Sequence, residues 1–192
     1  MRILTIDPGY AALGYALLDA TAKFDRVVAM GVVRTKVSAN KRILKNEDSF
    51  ARMRHMGEEL ERLTGRGTEN SIRAMVFESL SLPQQTSKQL AVKIGMPYGL
   101  LAQLAATMNI PVVMVTPQRV KNAVCGADNA SKQAVEAAMR KRFLPVKVHG
   151  GAINAFLSTT PASLHNHAWD ALAVYVASTD TDVMKALLHG AY

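Results

Sequence analysis

Four residues of this chain have the types and positions to share one charged ligand. Asp7 closes the apolar run Met1-Arg2-Ile3-Leu4-Thr5-Ile6 and precedes Pro8-Gly9, and Glu78 closes a second run, Ala74-Met75-Val76-Phe77. His167 and Asp170 stand three apart ahead of Ala171-Leu172-Ala173-Val174, a spacing that puts two side chains on one helix face. Three carboxylates and an imidazole form an oxygen-rich donor set, which favours hard divalent cations such as Mg²⁺ or Mn²⁺. With two such cations, the charges of Asp7, Glu78, Asp170 and one backbone phosphate sum to neutrality, and a phosphodiester is the expected substrate. Without metal, the clustered carboxylates repel one another and one of their pKa values should rise. Each residue also has a plainer reading. Asp7-Pro8-Gly9 alone is a common turn, Glu78 could simply begin a surface loop, and His165 competes with His167 for the site, with Asn166 as the candidate helix cap.

These residues need a scaffold that brings distant segments together. Strand patterns cover Arg2 to Asp7, Leu13 to Leu18 and Arg26 to Thr35, separated by short polar breaks that suggest an antiparallel meander. A basic stretch follows (Lys36, Lys41, Arg42, Lys45), then an amphipathic helix from Ser49 to Thr64 ended by Gly65. The pattern continues with a strand over Ile72 to Glu78, a polar loop from Ser79 to Ser87 that contains Pro83, and a long helix from Lys88 to Met108. A fifth strand (Pro111 to Thr116) and helices over Pro117 to Val124 and Ser131 to Phe143 come next, the first opened by its proline and the second capped by Ser131. Leu144 to Leu164, with Gly150-Gly151 and Pro161, reads as irregular, and a final helix spans Asn166 to Ser178. This order predicts an α/β fold with a mixed five-stranded sheet flanked by helices, in a single domain covering 1–192. In such sheets the carboxyl ends of neighbouring strands face one crevice, which is where Asp7 and Glu78 both fall.

Composition narrows the partners. A chain of 192 residues with 49% hydrophobic content can bury one sizeable core. Its 23 Lys and Arg against 15 Asp and Glu, a formal net charge of +8, favour a polyanionic partner. A lone cysteine, Cys125, excludes an intrachain disulfide and points to a reducing compartment. With no secretory leader and no apolar stretch of bilayer length, the expectation is a soluble intracellular protein, cytoplasmic or nucleoid-associated, of cellular, organellar or viral origin. Gly9-Tyr10-Ala11-Ala12-Leu13-Gly14 would also suit the phosphate-binding hairpin of an actin-like ATPase, but such proteins need a second hairpin and a second lobe, for which this chain is too short.

Ile6-Asp7-Pro8-Gly9, Gly31-Val32-Val33-Arg34-Thr35-Lys36, Thr116-Pro117-Gln118-Arg119-Val120-Lys121 and Trp169-Asp170-Ala171-Leu172-Ala173-Val174, in this order, resemble a RuvC-type Holliday-junction resolvase over most of the chain. The resemblance implies an RNase H-like fold, a two-metal nuclease site and a homodimer that nicks opposed strands of a four-way DNA junction. It assigns Asp7, Glu78 and Asp170 to the family's acids, and puts His167 where many members have aspartate. Lys121 and Lys132 fall on basic residues that approach the junction backbone, with Arg34, Lys36 and Arg119 as further phosphate contacts. The helix from Lys88 resembles the dimer-forming helix. Two departures stand out. The family's aromatic wedge after Glu78 is replaced by Ser79-Leu80-Ser81-Leu82-Pro83, which leaves Leu80 or Leu82 as an apolar wedge. Residues 145–163 read as an inserted loop carrying Lys147 and His149, either a DNA-contacting lid or a disordered insertion. Action on other branched DNA or RNA–DNA hybrid, and junction binding without catalysis, remain as rival readings.

Overall fold

The computed structural model describes residues 1–82, 85–145 and 147–190, with the side chains of residues 147–149 not described. Five strands form one mixed sheet: β1 (Arg2–Asp7), β2 (Ala12–Ala20), β3 (Asp25–Arg34), β4 (Ala74–Glu78) and β5 (Val112–Val115), in the order β3-β2-β1-β4-β5. The first three make the expected antiparallel meander, whereas β4 and β5 join parallel to β1. The helices between them are α1 (Lys45–Thr64), α2 (Lys88–Met108), α3 (Pro117–Cys125), α4 (Lys132–Phe143), α5 (Lys147–Thr159), α6 (His165–Ser178) and α7 (Asp182–Leu188).

Strand alternation divides the apolar residues between two cores. Ile3, Ala74 and Val76 face one layer, which holds Trp169, Leu172 and Ala173 of α6 together with residues of α4 and α5. Leu4, Ile6, Met75 and Phe77 face the other, built on Met56 and Leu60 of α1 and Leu101 of α2. Because successive strand side chains point to opposite faces, Asp7 and Glu78 share the α6 side of the sheet with Ile3 and Val76. The parallel pairing of β1 and β4, with Ile6 beside Phe77, brings both acids to one end of the sheet.

Three boundaries differ from the sequence reading. Helix α1 begins at Lys45, four residues early, because Glu47 turns back to accept the Leu44 amide at 3.0 Å. Helix α6 starts at His165 behind a 3₁₀ turn over Ala162–Leu164, so Asn166 lies inside the helix and is not its cap. The stretch from Leu144 to Leu164, expected to be irregular with 145–163 as an inserted loop, is largely the helix α5. Gly150-Gly151 lowers its intrinsic helix propensity, but Ile153 and Phe156 are buried in the α6-side core and tertiary packing overrides that penalty. Helix α7 escaped the sequence reading altogether. It is capped by the Thr181 hydroxyl, which accepts the Met184 amide, and it buries Met184 and Leu187. Pro83 and the side chains of Lys147 and His149 lie outside the described residues.

Candidate active site

Asp7 and Glu78 end adjacent parallel strands, and α6 crosses the same face of the sheet. Its approach depends on Gly14, which pairs with Asp7 across β1 and β2. A Cβ at Gly14 would lie 1.9 Å from the His167 carbonyl oxygen, so only glycine lets the first turn of α6 come this close. Gly9 has a similar role in the turn after Asp7, where a Cβ would fall 2.1 Å from the Ala12 carbonyl oxygen.

The docked helix brings His167 Nδ1 to 3.2 Å from Asp7 Oδ2, joining residues 160 apart in sequence. His165 points elsewhere and contacts the Thr160 carbonyl at 2.8 Å through Nε2, so that of the two histidines it is His167 that stands beside Asp7. Asp170, one turn beyond His167, faces Lys132 Nζ at 3.5 Å from the start of α4.

The carboxylates sense one another. Burial, followed by the charges of Asp7 and Asp170, pushes the Glu78 carboxyl up to about 7, while Lys132 and Lys121 pull it down. Burial and then Asp7 raise Asp170 to about 6, against the lowering effect of Lys132 and His167. This is the rise expected of carboxylates gathered without a compensating cation. Among the described residues, no group of three or more His, Cys, Asp or Glu side chains stands closed around a point fit to hold a metal ion. The acids are therefore coupled through space without being drawn together. Their oxygen-rich chemistry fits a hard divalent cation, which would offset both the burial and the mutual repulsion that raise Glu78 and Asp170.

Tyr98 on α2 is a neighbour that sequence reasoning missed. It meets Phe77 edge-on with ring centroids 5.9 Å apart. Burial first, then the charges of Glu78 and Asp7, push its hydroxyl up to about 12, which places it within electrostatic reach of the acids. Its only sequence signal is an aromatic on the sheet-facing side of a long helix.

The basic candidates flank the acids. Lys121 on α3 and Lys132 both act on Glu78, whereas Arg119 is exposed two residues before Lys121 on the same helix. Arg34 ends β3 and Lys36 follows it, both exposed at the same end of the sheet but at its β3 edge, across β2 from Asp7. Leu80 and Leu82 are exposed just beyond Glu78.

The profile of the family described as crossover junction endodeoxyribonuclease RuvC matches residues 3–178. The chain belongs to the RuvC family. Relatives named crossover junction endodeoxyribonuclease RuvC include that of Porphyromonas gingivalis, 29% identical over 75% of this chain and 69% of its own length. The one from Chlamydia abortus is 32% identical over 72% of this chain and 77% of its own length. Among solved structures, T. thermophilus RuvC in complex with a Holliday junction substrate superposes with a TM-score of 0.66 at 23% identity, covering 92% of each chain. The yeast mitochondrial Holliday junction resolvase gives a TM-score of 0.61 at 12% identity, covering 97% of this chain and 80% of its own. At these identities the superpositions establish the fold, which is the RNase H-like arrangement expected from the sequence.

Proposed function

We propose that this protein is a divalent-metal-dependent endodeoxyribonuclease that resolves four-way DNA junctions by paired phosphodiester hydrolysis, acting as a homodimer. The observation that carries the reading is that Asp7 and Glu78 end adjacent parallel strands and α6 brings His167 to 3.2 Å from Asp7, with Asp170 one turn further, in a chain of the RuvC family. Asp7, Glu78 and Asp170 would hold two Mg²⁺ or Mn²⁺ ions, with His167 as a further ligand or as the group that orients the attacking water. Bound there, the ions supply Lewis-acid stabilisation of the phosphoryl oxygens and lower the pKa of the attacking water.

The chain's own side chains perform the remaining tasks. The 3.2 Å contact between His167 and Asp7 fixes the Asp7 carboxylate relative to α6, so that acids from opposite ends of the sequence keep one geometry. Lys121 and Lys132 supply positive charge beside Glu78 and Asp170 and would meet the phosphates next to the scissile one. Arg34, Lys36 and Arg119 extend that basic surface to both sides.

Dimerisation through α2 is supported by its exposed face. Val92 is 60% exposed, and on the same face, three and seven residues on, a Cβ at Gly95 or Gly99 would meet nothing within 4 Å, which leaves room for a second helix to approach closely. Among the described residues, no helix is long and apolar enough to cross a membrane.

Cleavage of a synthetic four-way junction, compared with flap, RNA–DNA hybrid and linear duplex in Mg²⁺ or EDTA, tests the activity. Wild-type protein should cut the junction at symmetric positions in Mg²⁺ alone, and Asp7→Asn should bind it without cutting. Cleavage by Asp7→Asn would refute the site. Preference for flap or hybrid would move the assignment to another substrate, and sedimentation of the free protein checks the dimer.

A further inference from the structure

The basic stretch after β3 is not accounted for by the acids or by the lysines beside them. Together with α1 and α2 it encloses a cleft of about 310 Å³, lined by Tyr10, Lys41, Lys45, Ser49, Arg52 and Lys93. One acid, Asp48, also lines it, but its carboxylate is already engaged: it accepts the Ser38 amide at 2.7 Å and faces Arg52 at 3.9 Å. The cleft therefore carries a surplus of positive charge. Lys41, Lys45 and Lys93 have no carboxylate within ion-pair distance among the described residues.

The wall of the cleft is built and not merely a solvated surface. Arg52 is buried, with its guanidinium 4.1 Å above the Tyr10 ring. Its polar partners are mostly neutral, the Thr35 hydroxyl at 2.9 Å and the Tyr10 carbonyl at 3.5 Å. Thr35 in turn donates to that same carbonyl at 2.8 Å, and the Tyr10 hydroxyl donates to Ser49 at 2.8 Å. Lys93 Nζ approaches the Tyr10 ring to 5.8 Å from α2. A buried guanidinium held largely by neutral acceptors beside three unpaired lysines is an environment that favours an anion.

Its position selects which anion. Tyr10 is three residues from Asp7, and the cleft opens at the end of the sheet where β1, β3 and β4 all finish. Lys121 follows β5, at one edge of the sheet, whereas the loop with Lys41 follows β3, at the opposite edge, and the acids lie between them. A nucleic-acid strand laid across Asp7 with one flank on Lys121 and Lys132 would carry its other flank into this cleft.

We propose that the cleft walled by Arg52 and Tyr10 is a second backbone-phosphate subsite for the DNA strand, on the opposite flank of the acids from Lys121 and Lys132. This rests on the junction-nuclease reading. Tyr10 and Arg52 form its rigid wall, and Lys41, Lys45 and Lys93 make the phosphate contacts.

The test measures junction affinity against salt in an Asp7→Asn background, where binding occurs without cleavage. Lys41→Gln and Lys93→Gln should each flatten the slope of log affinity against log salt by about one unit, and together by about two. Lys93→Arg should keep the slope, because it retains the charge. Ethylation of phosphates along the junction arms should interfere with binding at one position that Lys93→Gln no longer senses. Unchanged slopes in both glutamine variants, while Lys121→Gln still flattens it, would overturn the subsite and leave the nuclease reading intact. Failure of the Asp7→Asn protein to prefer junction over linear duplex would overturn both.

Discussion

Replacing Glu78 with glutamine should stabilise the metal-free protein while ending its activity, a pairing that a merely structural glutamate would not produce. Burial and the neighbouring Asp7 and Asp170 raise the Glu78 carboxyl from 4.5 to about 7. The folded state thus holds this proton more tightly than the unfolded state, and its benefit is complete below pH 4.5 and lost as pH climbs through 7. A shift of 2.5 units corresponds to at most about 3.4 kcal/mol of lost stability at pH 8. Glu78 is only partly buried, and solvent screening reduces that ceiling to about 1–2 kcal/mol. Glutamine keeps the shape without the charge, so in EDTA at pH 8 it should raise Tm by about 3–6 °C for a chain of this size. The gain should vanish at pH 4, where the wild-type carboxyl is protonated, and shrink when Mg²⁺ is added to the wild type at pH 8. Thermal melts of both proteins at the two pH values provide the measurement. A variant that is no more stable at pH 8, or equally stabilised at pH 4, would refute the account of a carboxylate forced among like charges.

Two further substitutions probe the scaffold. In Gly14→Ala the new methyl must push the His167 carbonyl back by more than about 1 Å, which should cost about 1–3 kcal/mol and lower the cleavage rate about 100-fold; Gly151→Ala, with open space around it, should leave stability unchanged or slightly raised, and an active Gly14→Ala would contradict the proposed docking of α6. Ile153→Ala should cost about 2–5 kcal/mol in a urea melt, because its side chain is fully buried between α5 and the core; no loss would mean that residues 147–159 behave as the loose insertion first suggested by their glycines.

What could be read from the sequence divides along physical lines. Asp7 and Glu78 were visible because an apolar run that stops at an acid marks a strand end, and the two runs proved to be neighbouring parallel strands. Asp170 and His167 were visible from helical spacing. The choice between His165 and His167 was not, since it depends on the rotation of α6 set by Gly14 and by the His165 bond to Thr160. Helix α5 was missed because Gly150-Gly151 suppresses the local signal while Ile153 and Phe156 find their burial against strands far away in sequence. Tyr98 and the Arg52–Tyr10 wall were hidden for a related reason: each is an unremarkable residue on a helix or turn until the fold sets it beside charges from other segments.

The 3.2 Å meeting of Asp7 and His167 across 160 residues has a bearing on when this enzyme becomes dangerous to its own genome. At about 5–20 residues per second, a ribosome needs roughly 8–30 s after making Asp7 before it reaches α6. Throughout that interval the nascent chain holds its first acid with nothing to answer it. On the proposed function, a truncated or stalled product that ends before α6 would be inert, and this late-made helix would act as a safety catch on the cutting centre.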